Sequence, residues 1–174
     1  MGPGVEAAAV QDQRRADQED LMHLATYLGL LHTSLRTLAG AFREVAKGHG
    51  EEPDVRSTCE VLANRLDGQV EKLGPIVDRY GEHRESEPER LHAAEFEQTR
   101  GGAVGLLRDL QDLYALASFT DITWTVVGQA AQGLRDEELL NVVSSCEKDT
   151  ARQLAWLKTR MKQSAPQALI AARG

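Results

Sequence analysis

The chain has 174 residues, 41% of them apolar and 27% charged, and a formal net charge of −7. This composition fits one globular domain large enough to bury a core without disulfide or metal staples. The acidic balance argues against a nucleic-acid protein, which would need cations to neutralise phosphates. The longest apolar runs, "LGLL" at 28–31 and "TVV" at 125–127, fall far short of the ~20 residues of a membrane span. The first residues lack an apolar signal core, and two cysteines without one read as reduced thiols, so a cytoplasmic location is expected.

Residues 1–16 carry no sustained apolar period, with Gly2 and Gly4 flanking Pro3, and read as a flexible N-terminal arm. From Asp17, a capping residue, Leu21, Leu24, Leu28, Leu31, Leu35, Leu38, Phe42 and Val45 recur at spacings of three and four. That is one apolar stripe on a first helix, which Gly48 and Gly50 should end. Pro53 suits the first turn of a second helix with the stripe Val55, Cys59, Leu62, Leu66, Val70, Leu73 and Val77. Gly74-Pro75 should kink it, and Gly81 should close it.

The linker at 82–88 leads to a capping box, Ser86-Glu87-Pro88-Glu89, which predicts a short extra helix over "ERLHAAEFEQ". The third helix is expected from Ala103 to Gln132, with Leu107, Tyr114, Asp121 and Gly128 in its inward series. Asp136 should cap the fourth, whose inward face holds Leu139, Val143, Cys146, Thr150, Gln153, Leu157 and Met161. Pro166 should stop that helix, so residues 17–163 form the bundle and 164–174 a C-terminal tail.

Helices of about 28–32 residues would each run ~42–48 Å. Short 1–2 and 3–4 connections with one long 2–3 crossover predict an all-α, antiparallel four-helix bundle. An internal echo agrees with this. "STCEVLANRLDGQVEKL" at 57–73 resembles "SSCEKDTARQLAWLKTR" at 144–160, and "TLAG" at 37–40 then meets "TVVG" at 125–128. Small residues at those places would allow close helix approach. Duplication of a two-helix unit and chance recurrence both remain open from the sequence.

On its helix lengths, its connection order and the closing helix "DTARQLAWLKTRMKQSAPQAL", the chain over residues 17–163 resembles the ferritin-like superfamily. Within it, the resemblance is to the small bacterial stress-associated bundles. This implies the bundle fold with ferritin-like topology, often a homodimer, and sometimes a di-iron centre. Di-iron bundles carry an inward Glu on two helices and Glu-x-x-His on the other two. Here only Glu89-Arg90-Leu91-His92 has that spacing, and it lies on the crossover; the second and fourth helices have no histidine.

A polar layer remains at mid-bundle. His32, Asp67, Glu71 and Asp121 are the candidate metal ligands, for iron or manganese. The competing reading is a structural network in which Asp121 bonds His32 or Thr150, and a third is a ligand-lined cavity. Cys59 and Cys146 face inward about ten residues, or ~15 Å, apart in height, so they should be free thiols. Trp124 and Trp156 read as core or dimer contacts. Surplus apolar residues Tyr27, Leu30 and Trp156 predict a homodimer through helical faces.

The leading functional expectation is therefore a non-catalytic bundle that needs no cofactor and acts through self-association or a protein partner. The alternatives are a metal-binding oxidoreductase or storage protein, and an accessory subunit of a redox enzyme.

Overall fold

The computed structural model describes the backbone of residues 3–81 and 98–171, with side chains for 8–16, 21–81 and 98–171. Four helices, α1 (Pro3–Gly48), α2 (Pro53–Tyr80), α3 (Gly102–Leu134) and α4 (Glu137–Pro166), are followed by a π-helical turn, Gln167–Ala171. No strand occurs among the described residues. The predicted extra helix and the Glu89–His92 pair lie outside them.

α1 packs on α2 and α3, and α4 packs on the same two, while α1 and α4, like α2 and α3, make no close backbone approach. Opposite ends of α2 and α4 meet. Arg160 Nε donates to Asp54 Oδ2 at 2.7 Å near the start of α2, and Arg79 Nη2 donates to Asp136 Oδ2 at 2.7 Å near its end. The leucines of the first stripe, from Leu24 to Leu38, together with Phe42 and Val45, are buried. They share one core with Leu66, Leu73, Leu110, Leu113, Trp124, Leu139 and Leu157.

The N-terminal boundary differs from expectation. The backbone is helical from Pro3, so Asp17 lies inside α1 instead of capping it. Ala, Gln, Glu and Arg are strong helix formers and Pro3 suits a first turn, which suffices to continue a helix already nucleated downstream. Residues 8–16 are nonetheless exposed throughout, and Leu21 is 41% exposed. The register explains this. Counting back from His49 to Leu24 covers as many residues as counting forward from its partner Asp109 to Leu134, the last residue of α3. Residues before Leu24 therefore extend past the end of α3.

The C-terminal boundary differs too. Pro166 does not end the helical path, which widens into the π turn and buries Ser164 and Ala168. A proline lacks the N–H and crowds the preceding turn, and the wider π spacing accommodates it. Of residues 164–171 only Ser164 and Ala168 are buried, and the turn lies against α3 and α4. The echo is also only partly realised. A Cβ on Gly128 would stand 3.0 Å from Val143 Cγ1, whereas one on Gly40 would meet nothing within 4 Å. Close helix approach occurs at the second site alone.

Asp136 caps α4 as its position predicts, accepting from the Leu139 amide at 3.1 Å. It also accepts from the Tyr80 hydroxyl at 2.5 Å. Burial pushes its carboxyl upward, but the Tyr80 hydroxyl, the Leu139 amide and the Arg79 guanidinium outweigh burial and hold it below 3.8. The folded state therefore binds this proton more weakly than the unfolded chain does. Its stabilisation is complete above about pH 4 and is lost as pH falls through the lowered folded value. Asp136→Ala should cost about 2 kcal/mol at neutral pH, from the cap and one charged hydrogen bond, and less at pH 3. Denaturant titrations at both pH values check this.

Candidate functional site

The four residues predicted as metal ligands do not form a cluster. Among the described residues, no group of three or more His, Cys, Asp or Glu side chains stands close enough to hold a metal ion. Asp67 accepts from both Nη atoms of Arg43, in a pair about half exposed on the α1–α2 surface. Glu71 is exposed, and His32 and Asp121 are half-buried. Thr150 donates to the Cys146 carbonyl at 3.0 Å, so its proton is used within α4 and not on Asp121. Among the described residues, the side-chain bond that Asp121 takes is from the Thr125 hydroxyl, at 3.3 Å to its backbone carbonyl.

The buried acid of α3 is Asp109 instead, with no exposed surface. His49 Nε2 lies 2.7 Å from Asp109 Oδ2, and the His49 side chain is only 6% exposed. The Arg100 amide donates to the same oxygen at 2.9 Å, and Arg100 Nη1 donates to Oδ1 at 2.8 Å. Arg100 Nη1 also reaches Asp112 at 2.8 Å. A carboxylate that already accepts two N–H groups leaves His49 Nε2 as a donor. A buried charge survives only with such company.

Two glycines make room for this clamp. A Cβ on Gly48 would stand 2.2 Å from Thr99 Oγ1, and one on Gly105 would stand 2.6 Å from the Arg100 carbonyl carbon. The non-helical segment 98–101 thereby lies directly against the end of α1 and the first turn of α3. The clamp fixes one end of the crossover to two helices that are remote in sequence. Its carboxylate is fully enclosed and its donors are satisfied, so its chemistry is structural.

Farther into the core, Gln69 on α2, Gln153 on α4 and Trp124 on α3 are at most 1% exposed. Both polar atoms of each glutamine, and the Trp124 indole nitrogen, have no hydrogen-bond partner among the described residues. The fully buried hydroxyls nearby in sequence, Thr120 and Thr150, donate back to their own helices. The apolar core therefore encloses a few amides and hydroxyls, in place of the expected layer of His32, Asp67, Glu71 and Asp121.

Cys59 and Cys146 are free and buried, as the height mismatch predicts. Burial, aided by the charges of Asp54 and Glu60, pushes the Cys59 thiol up to about 12 from 9.0. Burial raises Cys146 to about 11, against Lys72 and with Asp149. Burial and the Asp136 carboxylate likewise raise Tyr80 to about 12 from 10.0. The folded state keeps these protons where the unfolded chain releases them. Stability is thus complete below about pH 9 and declines as pH rises through 11 to 12. Ellman's reagent should find no reactive thiol in the folded protein at pH 8 and two after denaturation, because the thiolate is the nucleophile.

The outer face of α3 is an apolar exposed surface. Ile122 is 57% and Val126 46% exposed, and Ala115, Thr125, Gln129 and Gly133 are exposed on the same side. From Leu113 to Leu134 the helix carries a single charge, Asp121, which lies off this stripe. By contrast, Tyr27 and Trp156, predicted as surplus, pack partly buried against the core.

No family model, curated protein or solved structure matches the chain. No described helix is long and apolar enough to cross a membrane.

Proposed function

We propose that the chain is a non-catalytic, ferritin-like antiparallel bundle that acts by self-association, with the outer face of α3 as its contact surface. The topology reading is supported by the ends that meet. Gly81 follows α2 beside Asp136 at the start of α4, and Thr99 lies on Gly48 at the end of α1. The 81–98 connection thus joins opposite ends of α2, which leaves α3 parallel to α2 and antiparallel to α1, the one-crossover arrangement. Cytoplasmic residence fits the two free buried thiols.

The observation that carries the contact surface is the uncharged stripe of α3. Surface helices usually place charged residues outward, and depletion of charge is the compositional mark of an interface centre. Light scattering at micromolar concentration should give about twice the 19.1 kDa chain mass. Ile122→Glu should return it to monomer with the helical circular dichroism spectrum kept, since the residue is exposed in the single chain. A wild-type species of 19.1 kDa across that range would refute self-association.

A further inference from the structure

We propose that the groove between the last turns of α1 and the first turns of α2 binds a small, multiply charged anion of the oligophosphate class. The groove encloses about 610 Å³, and Arg43, Lys47, Arg56, Glu60 and Asn64 are among its lining residues. Arg43 and Lys47 stand one turn apart on α1. Arg56, Glu60 and Asn64 stand in successive turns on α2, so two rows of side chains face one concavity.

Three cations against one lining acid is unusual in a chain of net charge −7. Arg43 is held from behind by Asp67 and by Asn64 Oδ1, the latter at 3.2 Å. Those acceptors fix the guanidinium plane while leaving part of its five-donor fork unused. The Lys47 and Arg56 side chains are exposed and have no hydrogen bond or ion pair among the described residues.

Their placement separates a site from an ordinary solvated surface. Lys47 lies in the last turn of α1, where a cation suits the helix dipole without any ligand. Arg56 is at the end of the first turn of α2, the positive end, where the same dipole disfavours it. It therefore stands against the local field and without a partner, beside two further cations. An anion in the groove would satisfy both.

The lining also selects the ligand class. It includes no aromatic and no large apolar side chain, which excludes a ligand recognised by its apolar surface. An ammonium and two guanidinium groups match phosphate oxygens, the guanidinium in bidentate fashion. The volume far exceeds one orthophosphate, so two or three linked phosphates fit it better.

Calorimetric titration of the full chain with sodium tripolyphosphate is the test. One molecule should bind per chain, and binding should weaken as sodium chloride is raised, as partly exposed charges are screened. Lys47→Glu and Arg56→Glu should each weaken binding by about tenfold or more, since each turns an attraction into a repulsion. Both sites are exposed, and circular dichroism would show the variants folded. The reversals Arg15→Glu, near the other end of α1, and Lys148→Glu, on α4, both exposed, should leave the affinity unchanged. Absence of binding at millimolar tripolyphosphate, or equal loss from the distant reversals, would overturn the proposal.

Discussion

Asp109→Ala should lower folding stability by about 3–5 kcal/mol, because it strips one partner from a buried charged set. For a domain of this size that is a drop in melting temperature of roughly 10 °C. The carboxylate accepts from His49, the Arg100 amide and the Arg100 guanidinium, and none of these bonds faces water on the Asp109 side. His49→Leu should cost less, since Asp109 would keep both Arg100 bonds. In the double variant the two losses should not add, as expected for residues in direct contact. Chemical denaturation measures all three. A loss below 1 kcal/mol for Asp109→Ala would mean that the clamp does not hold the crossover end to the helices.

Gln69→Met and Gln153→Met should act in the opposite direction. Each amide buries an oxygen and a nitrogen with no partner, a desolvation cost of about 1–3 kcal/mol that a thioether of similar shape does not carry. The pair together should raise stability by about 2–5 kcal/mol, a sizeable addition to the ~5–15 kcal/mol a typical domain possesses. A loss of more than 1 kcal/mol in either variant would show that the amide is bonded in solution, with ordered water as its natural partner.

Local rules read the helices well and the clamp poorly. Pro53 and Asp136 announce helix starts by chemistry that acts within four residues, and both do so here. The 3–4 spacing of Leu24 through Val45 leaves one buried face on α1 and no choice of phase. On α3 the phase is ambiguous because the helix is apolar nearly all round. The series Leu107, Tyr114, Asp121, Gly128 looks inward, yet Tyr114 and Asp121 are only half-buried.

The buried series is Leu106, Asp109, Leu113, Leu116, Thr120 and Thr123, equally regular in spacing. It carried the signal that would have found Asp109. His49 gave no such signal, standing between two glycines that mark the end of α1. Its burial depends on Arg100 and Asp109, 51 and 60 residues away in sequence, where no periodicity reaches. Pro166 ends α4 as expected, but the π turn that follows it gave no signal in the sequence. A proline forbids one hydrogen bond but not a change of helical pitch, and the buried Ala168 rewards the change.

The overhang of α1 has a consequence for the time scale on which its backbone opens. Residues 3–20 are helical only as a continuation of a packed helix, since an isolated segment of that length is marginal in water. The turns over residues 8–16, exposed throughout, can unwind with little loss of packing against α2 or α3. Amide protons there should exchange by fraying in a graded series, fastest at the tip. From Leu24 onward the same helix should exchange only when the core itself opens. One continuous helix thus contains two regimes of motion, and the boundary between them is set by where α3 stops.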